Sequence, residues 1–234
     1  MEVMDATKRF SERVENYRRY RPGYPPELLR FLADELRLRA GCVVADIGSG
    51  TGLLSGRLLE SGAHVIGIEP NREMREAAEK ALASHPRFRS VEAVAEATSL
   101  PGDSLDLITA AQAFHWFNVE QIRVEWARIL RPAGNVALIW NERSDESGFM
   151  REAGQLIDSY ADRRDPAGAI REAGKSRISA FFAPHPVRLR EFPHRQDFDF
   201  AGLLGRVASS SYLPSEGDDD FEPMAGELRC IFEK

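Results

Sequence analysis

Two carboxylates and three glycines in this chain are spaced to build one ligand site. Asp46 falls near the end of C-V-V-A-D-I, Gly48, Gly50 and Gly52 follow in G-S-G-T-G, and Glu69 ends H-V-I-G-I-E. Glycines turn at positive φ and let a ligand approach bare backbone, and the N–H groups that open a helix are available to it. Acidic side chains beside such a loop favour a cation that brings hydrogen-bond donors. A metal site is not expected. His185 and His194 sit near prolines with no third ligand at workable spacing, and Cys42 and Cys230 match no metal or disulfide pattern.

The elements that must position these groups follow from periodicity. Val43, Val44, Ala45 and Ile47 are an apolar run too short for a helix, while Leu53, Leu54, Leu58 and Leu59 recur at helical spacing. The stretch therefore predicts strand, glycine loop and helix. A dinucleotide fingerprint needs G-x-G-x-x-G, but here the third glycine comes one residue early, at Gly52, and Leu53 stands where glycine is required. No phosphate-binding G-x-x-x-x-G-K-[ST] occurs either.

D-I-G-S-G-T-G together with Glu69 resembles the first motif region of class I methyltransferases that use S-adenosylmethionine. The resemblance implies that Gly48, Ser49, Gly50 and Gly52 line the cofactor. It also implies that Asp46 faces the methionine part and that Glu69 takes both ribose hydroxyls. It extends over about residues 10 to 140 and sets further expectations. Pro70 and Met74 flank the adenine, although a methionine at helical spacing also suits plain core. Ala95 and Glu96 match the A-E that reads the adenine edge, but Val94 stands where family members often carry an acid. A-Q-A-F-H-W-F places Ala111 and Gln112 along the methionine part and turns His115, with Trp116, toward the transferred methyl group. The bland alternative makes the aromatics core and His115 a brace.

The first residues, through Arg21, are locally basic, with six basic residues from Lys8 to Arg21 against Glu12 and Glu15. A solvated helix would explain them. Alternatively, Y-R-R-Y-R-P-G-Y-P resembles the entry segment of methyltransferases similar to trans-aconitate methyltransferase, which implies a lid with Tyr20 and Arg21 at the cofactor carboxylate.

Pro25 and Pro26 open a helix with Leu28, Leu29, Leu32 and Leu36 on one face, stopped by Gly41. His64 to Ile68 predict a second strand, Asn71 a helix cap, Val91 to Ala95 a third strand and Leu105 to Ala110 a fourth. Asn118 with Gln121 caps the next helix, R-P-A-G ends it, and Asn135 to Trp140 form a fifth strand. Alternating strands and helices predict an α/β fold, a doubly wound, mostly parallel Rossmann-like sheet flanked by helices. Residues 1–24 would be the lid, 25–142 the cofactor core, 143–186 a helical cap inserted after the fifth strand, and 187–234 the rest of the core. In that last part, a sixth strand is expected within Val187 to Phe200 and a closing helix at Met224 to Phe232. No residues remain for the antiparallel strand with which this fold usually ends. Either the chain is short of its natural end or the sheet stops a strand early.

The 234 residues, 43% apolar with net charge −6, suit one core-forming domain and give no reason for broad nucleic-acid binding. No run approaches a membrane span, no signal peptide is evident, and the cysteines suit a reducing, cytoplasmic setting. The expected activity is S-adenosylmethionine-dependent methylation of a small molecule, a carboxylate or a hydroxyl, by a monomer or homodimer, with His115 as base for a hydroxyl acceptor. The alternative is a catalytically silent cofactor-binding sensor or scaffold.

Overall fold

The computed structural model describes residues 18–161, 174–210 and 212–234, and expectations placed on residues 1–17 and 162–173 lie outside them. Five strands pair in the order β3-β2-β1-β4-β5: β1 (Val43–Ile47), β2 (His64–Ile68), β3 (Phe88–Val91), β4 (Leu105–Ala111) and β5 (Leu130–Ile139). Every pairing is parallel. Near-continuous apolar strands suit such a sheet because both faces are covered. Strand order reverses between β1 and β4, the place where open α/β sheets leave a crevice beyond their carboxyl ends.

One face carries α1 (Pro26–Leu36) and α2 (Leu53–Leu59), whose Leu28, Leu32, Leu54 and Leu58 pack on Val44, Val65 and Leu107. Burying one such leucine contributes about 1.5–3 kcal/mol. The other face carries α4 (Val119–Ile129) and α6 (Gly174–Phe182), with Ile122, Trp126 and Phe181 against Ala45, Ile47 and Ile108. Between β2 and β3 runs α3 (Arg72–Ala81), capped by Asn71, whose side chain accepts from the Met74 N–H at 2.8 Å. Asn118 caps α4 in the same way, accepting from the Gln121 N–H. Outside the sheet, α5 (Gly148–Tyr160), α7 (Phe200–Ala208) and α8 (Phe221–Phe232) share a separate core around Leu156, Val207, Met224 and Leu228.

The first helix ends at Leu36, where Arg37 turns left-handed (φ 60°), and not at Gly41 as expected; four other boundaries differ from the sequence expectation for a tertiary reason. The third strand lies at Phe88–Val91 rather than Val91 to Ala95, because pairing with β2 ends at Ile68↔Val91 and leaves Glu92 to Ala95 without a partner strand in the sheet. The fifth strand begins at Leu130, directly after α4. Leu105 pairs Leu130 but Leu107 pairs Asn135, so residues 131–134 bulge opposite Asp106 instead of ending a helix in a turn. The expected sixth strand does not form: no residue from 183 to 199 is in a strand. Pro184, Pro186 and Pro193 remove ladder donors there, and Phe192 packs on Phe31 of α1 at 5.7 Å. The last helix starts at Phe221, ahead of Met224, because Phe221 is itself buried in the α5–α7–α8 core.

After β3 the chain is tied to α4 by Glu125. Its Oε1 accepts from the N–H and hydroxyl of Thr98 at 2.9 and 2.5 Å, and both its oxygens accept from Arg128 at 2.8 Å. The Arg128 hydrogen bond, against the penalty of burial and with help from Thr98, holds the Glu125 carboxyl down to about 2. A depressed carboxyl stabilises the fold fully above its ordinary range near 4.5 and loses that contribution as pH falls toward about 2. Glu125→Gln is therefore expected to destabilise by about 1–3 kcal/mol at neutral pH, with the difference shrinking as the pH is lowered from about 4.5. Denaturant titrations of both proteins at pH 7, 5 and 3 check it.

Candidate functional site

Asp46 stands beside Gly67 of β2 and Thr109 of β4, so the parallel register itself carries its carboxylate to the switch point of the sheet. It is 1% exposed. Oδ2 accepts from the Ser55 hydroxyl at 2.7 Å and Oδ1 from the Thr109 hydroxyl at 2.9 Å. Burial pushes the carboxyl up to about 6, against the pull of those two hydroxyls. Among the described residues no cation is hydrogen-bonded to it, and the donors that meet it are hydroxyl dipoles.

Glu69 follows β2 and is also buried. Its Oε2 accepts from the Gly50 N–H and its Oε1 from the Asn71 N–H, both at 2.9 Å. Burial raises its carboxyl above the ordinary range, and the two amide bonds partly oppose that. The side chain thus clasps the glycine loop to the start of α3 and keeps further lone pairs for a ligand. The loop is anchored below as well: the Gly48 and Ser49 N–H groups donate to Ile68 O at 2.8 and 3.1 Å. Gly48 has φ +70°, and a Cβ there would stand 2.5 Å from the Ala113 methyl and 3.2 Å from the Phe117 ring. No larger residue fits.

A pocket opens over this loop, lined by Tyr24, Asp46, Gly48, Ser49, Thr51 and Ala111 among others. The Thr51 hydroxyl is buried with no hydrogen-bond partner among the described residues, and it lines the same pocket. A buried carboxylate of raised pKa, an orphaned hydroxyl and bare glycine backbone together suit a cationic ligand with polar substituents.

Residues 45–138 match the methyltransferase domain family. An uncharacterised methyltransferase of Mycobacterium tuberculosis is 37% identical over 146 residues, 62% of this chain and 57% of the relative. The chain spans little more than half the length of the curated relatives it matches. Among solved structures, a candidate type II methyltransferase from Anaeromyxobacter dehalogenans is 27% identical, with a TM-score of 0.59 over 91% of this chain and 89% of that one. An S-adenosylmethionine-dependent methyltransferase from Aquifex aeolicus shares the fold at 19% identity and a TM-score of 0.50, over 65% of this chain and 88% of that one.

The other sequence candidates are distributed unevenly. Pro70 is half-buried beside Glu69, and Met74 is packed inside at 3% exposure. The Ala95 carbonyl accepts from the Trp126 indole at 3.1 Å, and Glu96 accepts from the Asn118 N–H at 2.8 Å, so this pair is fastened to α4. Gln112 has φ +56°, held by its N–H to Ile139 O and its side-chain amide to Asn141 O. A non-glycine residue kept in that region by two bonds is a strained position directly after β4. His115 lies in the 3-10 turn Phe114–Trp116, half-buried, its ring 4.9 Å from that of Trp116. Phe114 is core, edge-on to Trp140 and Phe181.

Tyr20 and Arg21 are placed away from the pocket. The Tyr20 ring lies against Gly205 of α7, where a Cβ would meet it at 2.3 Å, and Arg21 donates to Ser209 O at 2.9 Å. The missing side chain of Gly205 and the free carbonyl at the end of α7 draw these residues there. Tyr24 reaches the pocket instead. Sequence reasoning missed Tyr24, Thr51, Ser55 and Thr109. Threonine in the otherwise apolar L-I-T-A-A and serine on the buried side of L-L-S-G-R-L-L were the available signals.

A carboxyl raised on folding means that the native state holds more protons than the unfolded chain between about pH 4 and 6, so the apoprotein loses stability as pH rises through that window. Asp46→Asn is expected to melt no lower than wild type at pH 7 yet to bind S-adenosylmethionine at least about tenfold more weakly. Wild-type affinity should weaken as pH falls below about 6, and the variant should show a smaller dependence, left by the Glu69 carboxyl that burial also raises. Calorimetric titrations from pH 5 to 8 measure both.

Proposed function

We propose that this chain binds S-adenosylmethionine at the β1–β4 switch point and transfers its methyl group to a small-molecule acceptor, a carboxylate or a hydroxyl. The observation that carries the reading is the pair of buried carboxylates, Asp46 and Glu69, ending adjacent parallel strands on either side of one glycine loop. In this reading Asp46, with Ala111 and Gln112, receives the charged methionine part, and the spare lone pairs of Glu69 take the ribose hydroxyls. Gly48, Ser49, Gly50 and Gly52 offer backbone contact. Pro70, Met74, Ala95 and Glu96 border the adenine, and the Thr51 hydroxyl gains the partner it lacks. Tyr24 takes the covering role that the arm was expected to give to Tyr20 and Arg21.

When bound, the cofactor supplies a methyl group already activated on a sulfonium. The remaining task for the protein is to align the acceptor and exclude water, and such positioning lowers a barrier by about 7–11 kcal/mol. A carboxylate acceptor arrives ionised and needs no base. A hydroxyl acceptor must lose its proton, and in this reading the His115 imidazole, in the 3-10 turn that follows the strained Gln112, takes it. The fold supports this division: sheet and loop hold the cofactor, and the 3-10 turn carries the acceptor chemistry.

Incubation with methyl-labelled S-adenosylmethionine and a panel of small acids and phenols tests the proposal. Transfer of label supports it, binding without transfer favours the silent sensor, and no binding of S-adenosylmethionine or S-adenosylhomocysteine ends it. His115→Ala should lower turnover of a hydroxyl acceptor about a hundredfold or more and leave a carboxylate acceptor nearly unchanged.

A further inference from the structure

Beyond the cofactor pocket, one charged side chain is held in place without a counter-charge. Arg177 sits in the first turn of α6, half-buried. Its Nη2 donates to the carbonyl of Phe117 at 2.7 Å, while its Nε–H is buried and has no hydrogen-bond partner among the described residues. No ion pair reaches it among them. Buried donors in folded proteins are almost always paired, so an unpaired guanidinium N–H calls for an explanation.

Its position is well fixed. Helix α6 is pinned to α4 by Arg123, which donates to the carbonyls of Ala180 and Ala183 at 3.0 and 2.8 Å, and by Phe181, packed edge-on against Phe114 and Trp126. Phe117, which receives the Arg177 bond, follows the His115–Trp116 pair and lays its ring 3.2 Å from where a Gly48 Cβ would stand. The guanidinium is therefore held at the Phe117 carbonyl, two residues past His115 in the chain, by a helix fastened to α4.

We infer that Arg177 is a specificity-determining residue that docks a carboxylate of the methyl acceptor. This inference rests on the methyltransferase reading and narrows it to anionic acceptors. A guanidinium presents fixed donors that match a carboxylate, and charge-assisted bonds of this kind are about twice as strong as neutral ones. A neutral acceptor would leave the guanidinium charge without a counter-ion among the described residues.

The test uses the full chain saturated with S-adenosylhomocysteine and titrated with acetate, succinate and benzoate, and in parallel with their neutral amides. Wild type is expected to bind at least one carboxylate more tightly than its amide. Arg177→Gln should lose that preference about tenfold or more, while Arg177→Lys keeps part of it, with melting temperature and S-adenosylhomocysteine affinity unchanged. Equal carboxylate binding by wild type and Arg177→Gln, or no carboxylate preference in wild type, overturns the inference and leaves the methyltransferase reading standing. No binding of S-adenosylhomocysteine by wild type overturns both. The cofactor carries a carboxylate too: if Arg177→Gln weakens S-adenosylhomocysteine but not methylthioadenosine, which lacks the amino-acid part, Arg177 serves the cofactor and the acceptor assignment falls.

Discussion

Parallel pairing of β1 with β2 and β4 is the constraint on which the site depends. It sets Asp46 level with Gly67 and Thr109, so that a carboxylate leaving the end of one strand is buried between two others. Away from water such a group is tolerable only with donors aimed at it, and the hydroxyls of Ser55 and Thr109 supply them without cancelling its charge. The result is a negative site held ready by dipoles rather than neutralised by a cation. A ligand that brings positive charge completes it.

Glu69 is built differently. Two backbone N–H groups, from Gly50 and Asn71, hold its oxygens, so the same carboxylate shapes the loop that would embrace the ligand. Shaping and binding are therefore coupled: loss of the Glu69 side chain would loosen the glycine turn as well as remove an acceptor. On the far side, Gly48 admits Ala113 and Phe117 so closely that the turn after β4 rests on the loop. That turn carries the strained Gln112 and His115. The glycine loop and the turn after β4 thus touch through a position where only glycine fits.

The C-terminal helices answer to other forces. Helix α6 belongs to the sheet through Phe181, whereas α5, α7 and α8 close a core of their own. Residues 18–24 run between these units: Tyr20 and Arg21 fasten to α7, the Gly23 carbonyl accepts from Asn141, and Tyr24 lines the pocket. One short segment links the helical unit to the site, which makes the position of α7 a determinant of how the pocket is covered.

The sequence by itself determined the strand–loop–helix at Val43 to Leu59, the two carboxylates and the caps at Asn71 and Asn118. Each is set by local matters: an apolar run of strand length, the φ that only glycine takes freely, and a side chain three residues from the N–H it accepts. Only the tertiary structure decided where β3 ends, that residues 131–134 bulge, that the stretch from Val187 to Phe200 stays off the sheet, and that Tyr24 rather than Tyr20 meets the pocket. Those outcomes depend on what lies alongside. A strand exists only as far as its neighbour offers partners, and the partners of Asp46, Tyr20 and Arg177 come from segments distant in the chain.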